Sequence, residues 1–133
     1  MNPITYVLAG TPIPLARPRF ANGRCFDSQF AEKNDNRMDI YRQHGKQPSY
    51  QGPLRIEFRF FFPFKESLTQ AQRDELAFTS HVFVPDLSNL IKFYEDICTG
   101  ILYKDDRSIA EIVAFKRYDH IPRTEFTITE LPR

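Results

Sequence analysis

Tryptophan is absent from the 133 residues, cysteine occurs twice, glycine five times, and neither sign of charge is in excess, with 18 Lys and Arg against 17 Asp and Glu. Two cysteines, Cys25 and Cys98, without C-x-x-C spacing argue against a disulfide framework and a cysteine-based zinc site, and predict free thiols. The lack of Gly/Ser-rich or single-residue tracts argues against a long linker or a disordered chain. A phosphate-cradling glycine loop, Ser-His-Asp spacing and a His/Cys metal cluster are all missing, so no nucleotide cofactor is expected. His44, His81 and His120 lie in unrelated contexts and read as exposed loop or terminal histidines. The apolar runs at 60–64 and 112–115 are far shorter than the roughly 18 residues a membrane span needs. Residues 1–10 lack the basic and long apolar regions of a signal peptide. A cytoplasmic protein with no membrane partner is the expectation.

What is abundant is aromatic bulk, 13 Phe and six Tyr, enough for one sizeable core. A chain of this length is too short for two ordinary domains, so residues 1–133 are read as one. Charge is unevenly spread. Through Lys65 there are ten Lys and Arg against five Asp and Glu, and from Glu66 onward eight against twelve. A basic half beside an acidic half suits a protein that holds phosphates on one surface and collects cations on another, although ordinary surface variation also produces it.

Ile4–Ala9 reads as a first strand, stopped by Gly10 and the prolines after it. A basic loop follows, in which Arg17, Arg19 and Arg24 sit on backbone stiffened by Pro18 and turned by Asn22-Gly23, a pair suited to a hairpin tip. Ser28 is a candidate cap for a polar helix over 29–47. Leu54–Phe62 alternates as a strand with one buried face. A short helix over 69–77 is capped by Thr69, and an apolar piece follows at Val82, Phe83 and Val84. Strands over 109–118 and 124–131, joined by a turn at 119–122, suggest a closing antiparallel hairpin. The fold class is α+β: a single domain with a mixed or antiparallel sheet of about four strands and two or three packed helices.

Two segments concentrate the chemistry. From Asp86 to Gly100, Leu87, Leu90, Ile91, Tyr94, Ile97 and Cys98 fall within one arc of roughly 120°, with Ser88, Asn89, Lys92, Glu95 and Asp96 opposite. This is an amphipathic helix with Asp86 as N-cap, Asn89 three residues on as support, and Gly100 past the end. Asp105 and Asp106 then stand side by side before a strand, where like charges repel unless a cation or base lies between them. Caps, a turn and a solvated Lys92/Asp96 pair account for these residues without any function. If the loop returns beside the helix start, however, Asp86 and Asp106 converge as hard oxygen ligands for Mg²⁺, and Lys92 stands ready to neutralise charge developing at a phosphate.

The run Pro85-Asp86-Leu87-Ser88-Asn89-Leu90-Ile91-Lys92, then Asp96, Gly100 and Leu102-Tyr103-Lys104-Asp105-Asp106-Arg107-Ser108-Ile109, resembles the RusA family of Holliday-junction resolvases. Gly10-x-Pro12-x-Pro14 with Arg17-Pro18-Arg19 looks like the family's basic loop, and the strand from Pro122-Arg123 like its closing strand; residues 26–79 contribute little. The resemblance implies a homodimeric, Mg²⁺-dependent endonuclease (Mn²⁺ being an alternative ion) that nicks four-way junction DNA symmetrically in recombination and repair. The essential carboxylates would be Asp86 and Asp106, with Asp105 and Asp96 as neighbouring acids and Lys92 as the functional lysine. Arg17, Arg19 and Arg24, with Lys104 and Arg107, would grip phosphates. Ser88 departs from the pattern, because many members carry a third acid there. A neutral hydroxyl weakens metal binding or shifts the load to Asp105 or Asp96. A weakened or inactive junction-binding dimer is therefore the alternative, and a scaffold whose acids are only caps and turns is a third reading. An edge strand and the apolar face around Phe93 are the candidate dimer surfaces.

Overall fold

The computed structural model describes residues 2–17 and 19–133, with the side chain of Arg19 outside that description. Four strands, β1 (Ile4–Ala9), β4 (Leu54–Phe62), β5 (Ile109–Tyr118) and β6 (Arg123–Glu130), form one sheet, while β2 (Arg19–Ala21) and β3 (Arg24–Phe26) make a separate hairpin. The helices are α1 (Phe30–His44), α2 (Gln70–Leu76) and α3 (Leu87–Cys98). The α+β class and the four-stranded mixed sheet agree with expectation.

The sheet order is β1-β6-β4-β5, with β6 antiparallel to both neighbours and β5 parallel to β4. The closing hairpin predicted for the last two strands is therefore not formed. The connection between them steps over the end of β4, and Asp119 N–H donates to the Phe62 carbonyl at 3.0 Å. Nine consecutive residues with Phe, Leu and Ile on one side make β4 the most apolar strand. Burying it fully requires a neighbour on each edge, which separates β5 from β6.

Side-chain alternation places Tyr6, Phe126 and Phe58 in one cross-strand row, with ring centroids 5.1 and 5.8 Å apart. Leu8, Phe60 and Ile128 extend this face, and Ile40 of α1 and Leu90, Phe93, Tyr94 and Ile97 of α3 seal it. Each such side chain contributes about 1.5–3 kcal/mol when fully buried. Phe93 is 0% exposed, so it belongs to the core and cannot form a dimer surface. The buried arc of α3 is turned by roughly 40° from the one drawn through the aliphatic positions. His44, read as exposed, is also in the core: its Nδ1 meets Tyr6 Oη at 2.8 Å and its Nε2 meets the Pro48 carbonyl at 3.1 Å. Val82, Phe83 and Val84 stay largely in solvent.

Helix ends follow local chemistry. Thr69 caps α2 through a reciprocal capping box with Gln72. Ser28 does not cap α1: Gln29 holds the cap position, and the helix stops at His44 because Gly45 turns with φ of 66°. No helix among the described residues is long and apolar enough to cross a membrane.

Candidate active site

Asp86 occupies the N-cap position of α3 but makes no capping hydrogen bond, and it is exposed. The anticipated cap by its side chain is thus not made, and the carboxylate is not consumed in ending the helix. The chain leading to it is pinned from the sheet: Lys116 Nζ of β5 donates to the carbonyls of Phe83 and Pro85, each at 2.8 Å. Asn89 supports the neighbourhood through its backbone, its carbonyl accepting Leu15 N–H at 3.0 Å.

At the other end of α3 the chain turns back sharply. Gly100, with φ of 88°, permits the reversal, and Arg37 Nη2 donates to the Thr99 carbonyl at 2.8 Å. Buried Tyr103 donates its hydroxyl to the Glu95 carbonyl at 3.0 Å, which holds the returning segment against the helix. Asp105 then caps a 3-10 turn over Asp106–Ser108 by accepting Arg107 N–H at 2.9 Å. That bond, with Arg107 nearby, holds the Asp105 carboxyl below the usual carboxylate range.

Between this return loop and the N-terminal part of the chain lies an open cleft of about 650 Å³. One wall is the polar side of α3, with Lys92, Glu95, Asp96 and Thr99, continued by Asp105 and Asp106. The opposite wall comes from Leu15 and Ala16, from Cys25, Phe26 and Asp27 at the end of the hairpin, and from Lys33 of α1. Glu95 is half-buried; burial, then the charge of Asp106, push its carboxyl above its ordinary range. Asp96 is engaged by Lys33 at 3.0 Å.

The predicted residues are distributed as follows. Lys92, Asp96, Asp105 and Asp106 share the cleft, whereas Asp86 and Ser88 lie on or before the first turn of the same helix and are not among its walls. Among the described residues no three His, Cys, Asp or Glu side chains already stand as a metal-ligand group. Arg17 and Arg24 are exposed beside the cleft-forming segments. The side chain of Arg19 and all of Pro18 lie outside the described residues. Lys104 and Arg107 flank Asp105 across a shallower depression of about 350 Å³. The sequence did not single out Glu95, Asp27, Lys33 or Lys116. Glu95 could have been found from its position one turn beyond Lys92 on the helix's polar side; the other three carry no local signal.

The family model described as "Endodeoxyribonuclease RusA" matches residues 9–129. The chain belongs to the RusA endodeoxyribonuclease family. A protein of Bacillus subtilis (strain 168) named "Uncharacterized protein YqaN" is 24% identical over 140 residues, an alignment that covers 98% of this chain and 99% of that one. In this RusA family member the match takes in both the segment after β1 that carries Arg17 and the acidic return loop with Asp105 and Asp106.

Proposed function

We propose that this chain is a metal-dependent, structure-selective endodeoxyribonuclease that resolves four-way DNA junctions by paired phosphodiester cleavage. It would act in the cytoplasm as a homodimer, with residues 1–133 forming one nuclease domain. The observation that carries the reading is the cleft that unites Asp105, Asp106 and Lys92 and faces the segment bearing Arg17 and Arg24.

The donor set suits a hard divalent cation, Mg²⁺ or Mn²⁺, since its candidate ligands are carboxylate and hydroxyl oxygens with no thiolate or imidazole. Asp106 and Asp105 in the cleft would hold the ion, with Asp86 reaching it from the start of α3 once DNA is bound; the ion would supply an activated water and polarise the scissile phosphate. The rest is done by the chain's own groups. Arg17, Arg19 and Arg24 bind phosphates and fix the strand's path, and Lys104 and Arg107 hold phosphates beyond the return loop. Lys92 neutralises charge as it develops on the phosphoryl oxygens. Asp96, paired with Lys33, is the least available of the acids.

A second reading, a junction-binding dimer with weak or no turnover, is favoured by Ser88 in place of an acid and by the absence, among the described residues, of a ready three-acid group. One experiment separates the two: cleavage of a labelled mobile junction with Mg²⁺ or EDTA by wild type, Asp106→Asn and Ser88→Asp. Paired nicks that EDTA abolishes and Asp106→Asn reduces by about 10³-fold support turnover. Binding without cutting, restored by Ser88→Asp, supports the second reading. No preference for the junction over a linear duplex, and no cutting by any variant, would sink both.

A further inference from the structure

The segment after β1 and the β2–β3 hairpin, which carry Arg17 and Arg24 beside the cleft, are anchored at both ends by different kinds of bond. At the incoming end the anchors are uncharged. Ile13 N–H donates to Tyr94 Oη and Leu15 N–H to the Asn89 carbonyl, each at 3.0 Å. Buried Gln29 closes the loop through Ala16 N–H and the Pro14 carbonyl, both at 2.8 Å. At the outgoing end β3 runs directly into Asp27, whose carboxylate meets Lys33 Nζ at 2.5 Å, and the same ammonium reaches Asp96 of α3 at 3.0 Å.

Lys33 is therefore a charged link between the hairpin, α1 and α3. Its side chain is 15% exposed, while those of Asp27 and Asp96 are 42% and 53% exposed. A lysine on a solvated helix face keeps its ammonium in water and loses little when its partner is removed. Here most of the side chain is covered and its ammonium is shared between two carboxylates, and all three groups lie on the cleft walls. Among the described residues β2 and β3 pair only with each other, so the hairpin leans on no other sheet.

We propose that Lys33 is a positioning residue for DNA binding: the Asp27–Lys33–Asp96 bridge fixes the β2–β3 hairpin against the acidic side of α3, so that Arg24 meets the phosphates of a strand lying in the cleft. This rests on the nuclease reading above. The bridge also commits Asp96 to an internal cation and so removes it from the acids free to hold a metal ion.

The test is a double-mutant cycle of Lys33→Met with Arg24→Ala in the full chain, read as the dissociation constant for a labelled four-way junction and as the cleavage rate at saturating protein. Lys33→Met is expected to weaken binding about tenfold and to lower the saturated rate by less than about threefold, with Lys33→Arg recovering most of the affinity. Combined with Arg24→Ala it adds little, because it acts through that guanidinium. Asp27→Asn weakens binding in the same direction and takes the place of Lys33→Met if that variant does not fold. Additive losses in the cycle, or wild-type affinity in both Lys33→Met and Asp27→Asn, would overturn the proposal while leaving the nuclease reading intact. A wild type that neither prefers the junction to a linear duplex nor cuts it overturns both.

Discussion

Along α3, Leu90, Phe93, Tyr94, Ile97 and Cys98 are sealed against the sheet, while a rotation of the helix away Lys92, Glu95, Asp96 and Thr99 line an open cleft. The two sides share one backbone and obey opposite rules. On the core side, each group is held by many weak contacts, and polar atoms are admitted only with partners: Tyr94 Oη receives both Ile13 N–H and Thr124 Oγ1 at 3.0 Å. On the cleft side, carboxylates stand near one another, and one of them, Glu95, is held above its ordinary range by burial and by Asp106. Stability is drawn from one side and, on the function proposed above, chemistry from the other, so substitutions one residue apart should separate the two properties.

The strongest challenge to that division is Phe93→Ala. Removing a fully buried ring is expected to cost about 3–5 kcal/mol, read as a lower urea midpoint, and any loss of cleavage should track the unfolded fraction. Lys92→Ala, the next residue back, should do the reverse. Cleavage falls by about 10²-fold, while the unfolding free energy changes by no more than about 0.5 kcal/mol; a large loss of stability there would break the comparison. The smallest effect concerns Glu95→Gln. The folded-state pKa of Glu95 lies above its unfolded value, so the ionised carboxylate destabilises the fold at neutral pH, and the cost disappears as pH falls below the unfolded value. Glu95→Gln should therefore be slightly more stable than wild type at pH 7, the effect being small because the half-exposed carboxylate is screened by solvent, and the gain should vanish as pH falls below the ordinary carboxylate range in melts followed by circular dichroism. A destabilised Glu95→Gln at neutral pH would mean that the carboxylate supports the fold.

Much of the local structure was legible beforehand because its causes are local. Alternation of Leu54, Ile56, Phe58, Phe60 and Phe62 marks β4 whatever its neighbours, and Thr69 with Gln72 marks the start of α2. Proline before Asp86 and glycine after Thr99 bracket α3 in the same way. Where the structure departs from expectation, the causes are not local. The turn at 119–122 looks like a hairpin connection, yet β4 lies between the strands it joins. Phe93 lies just outside the arc drawn from Leu87 to Cys98, and is buried because packing on the sheet turns the helix so that its side faces the core. His44 reads as polar in sequence and becomes a core residue through Tyr6 and Pro48, both remote from any helical pattern.

The sequence alone determined where strands and helices form, which face of each is apolar, and which acids flank the amphipathic helix, because these depend on side-chain period, capping chemistry and the backbone freedom of a few glycines. Only the tertiary structure decided the strand order, the acids that share a cleft and the partners they meet. Lys33 lies more than sixty residues from Asp96, and nothing in its own neighbourhood signals that pairing. Such pairings arise from the burial of the sheet's apolar face, which brings α1 and α3 together and leaves charged groups from distant segments to find one another at the rim.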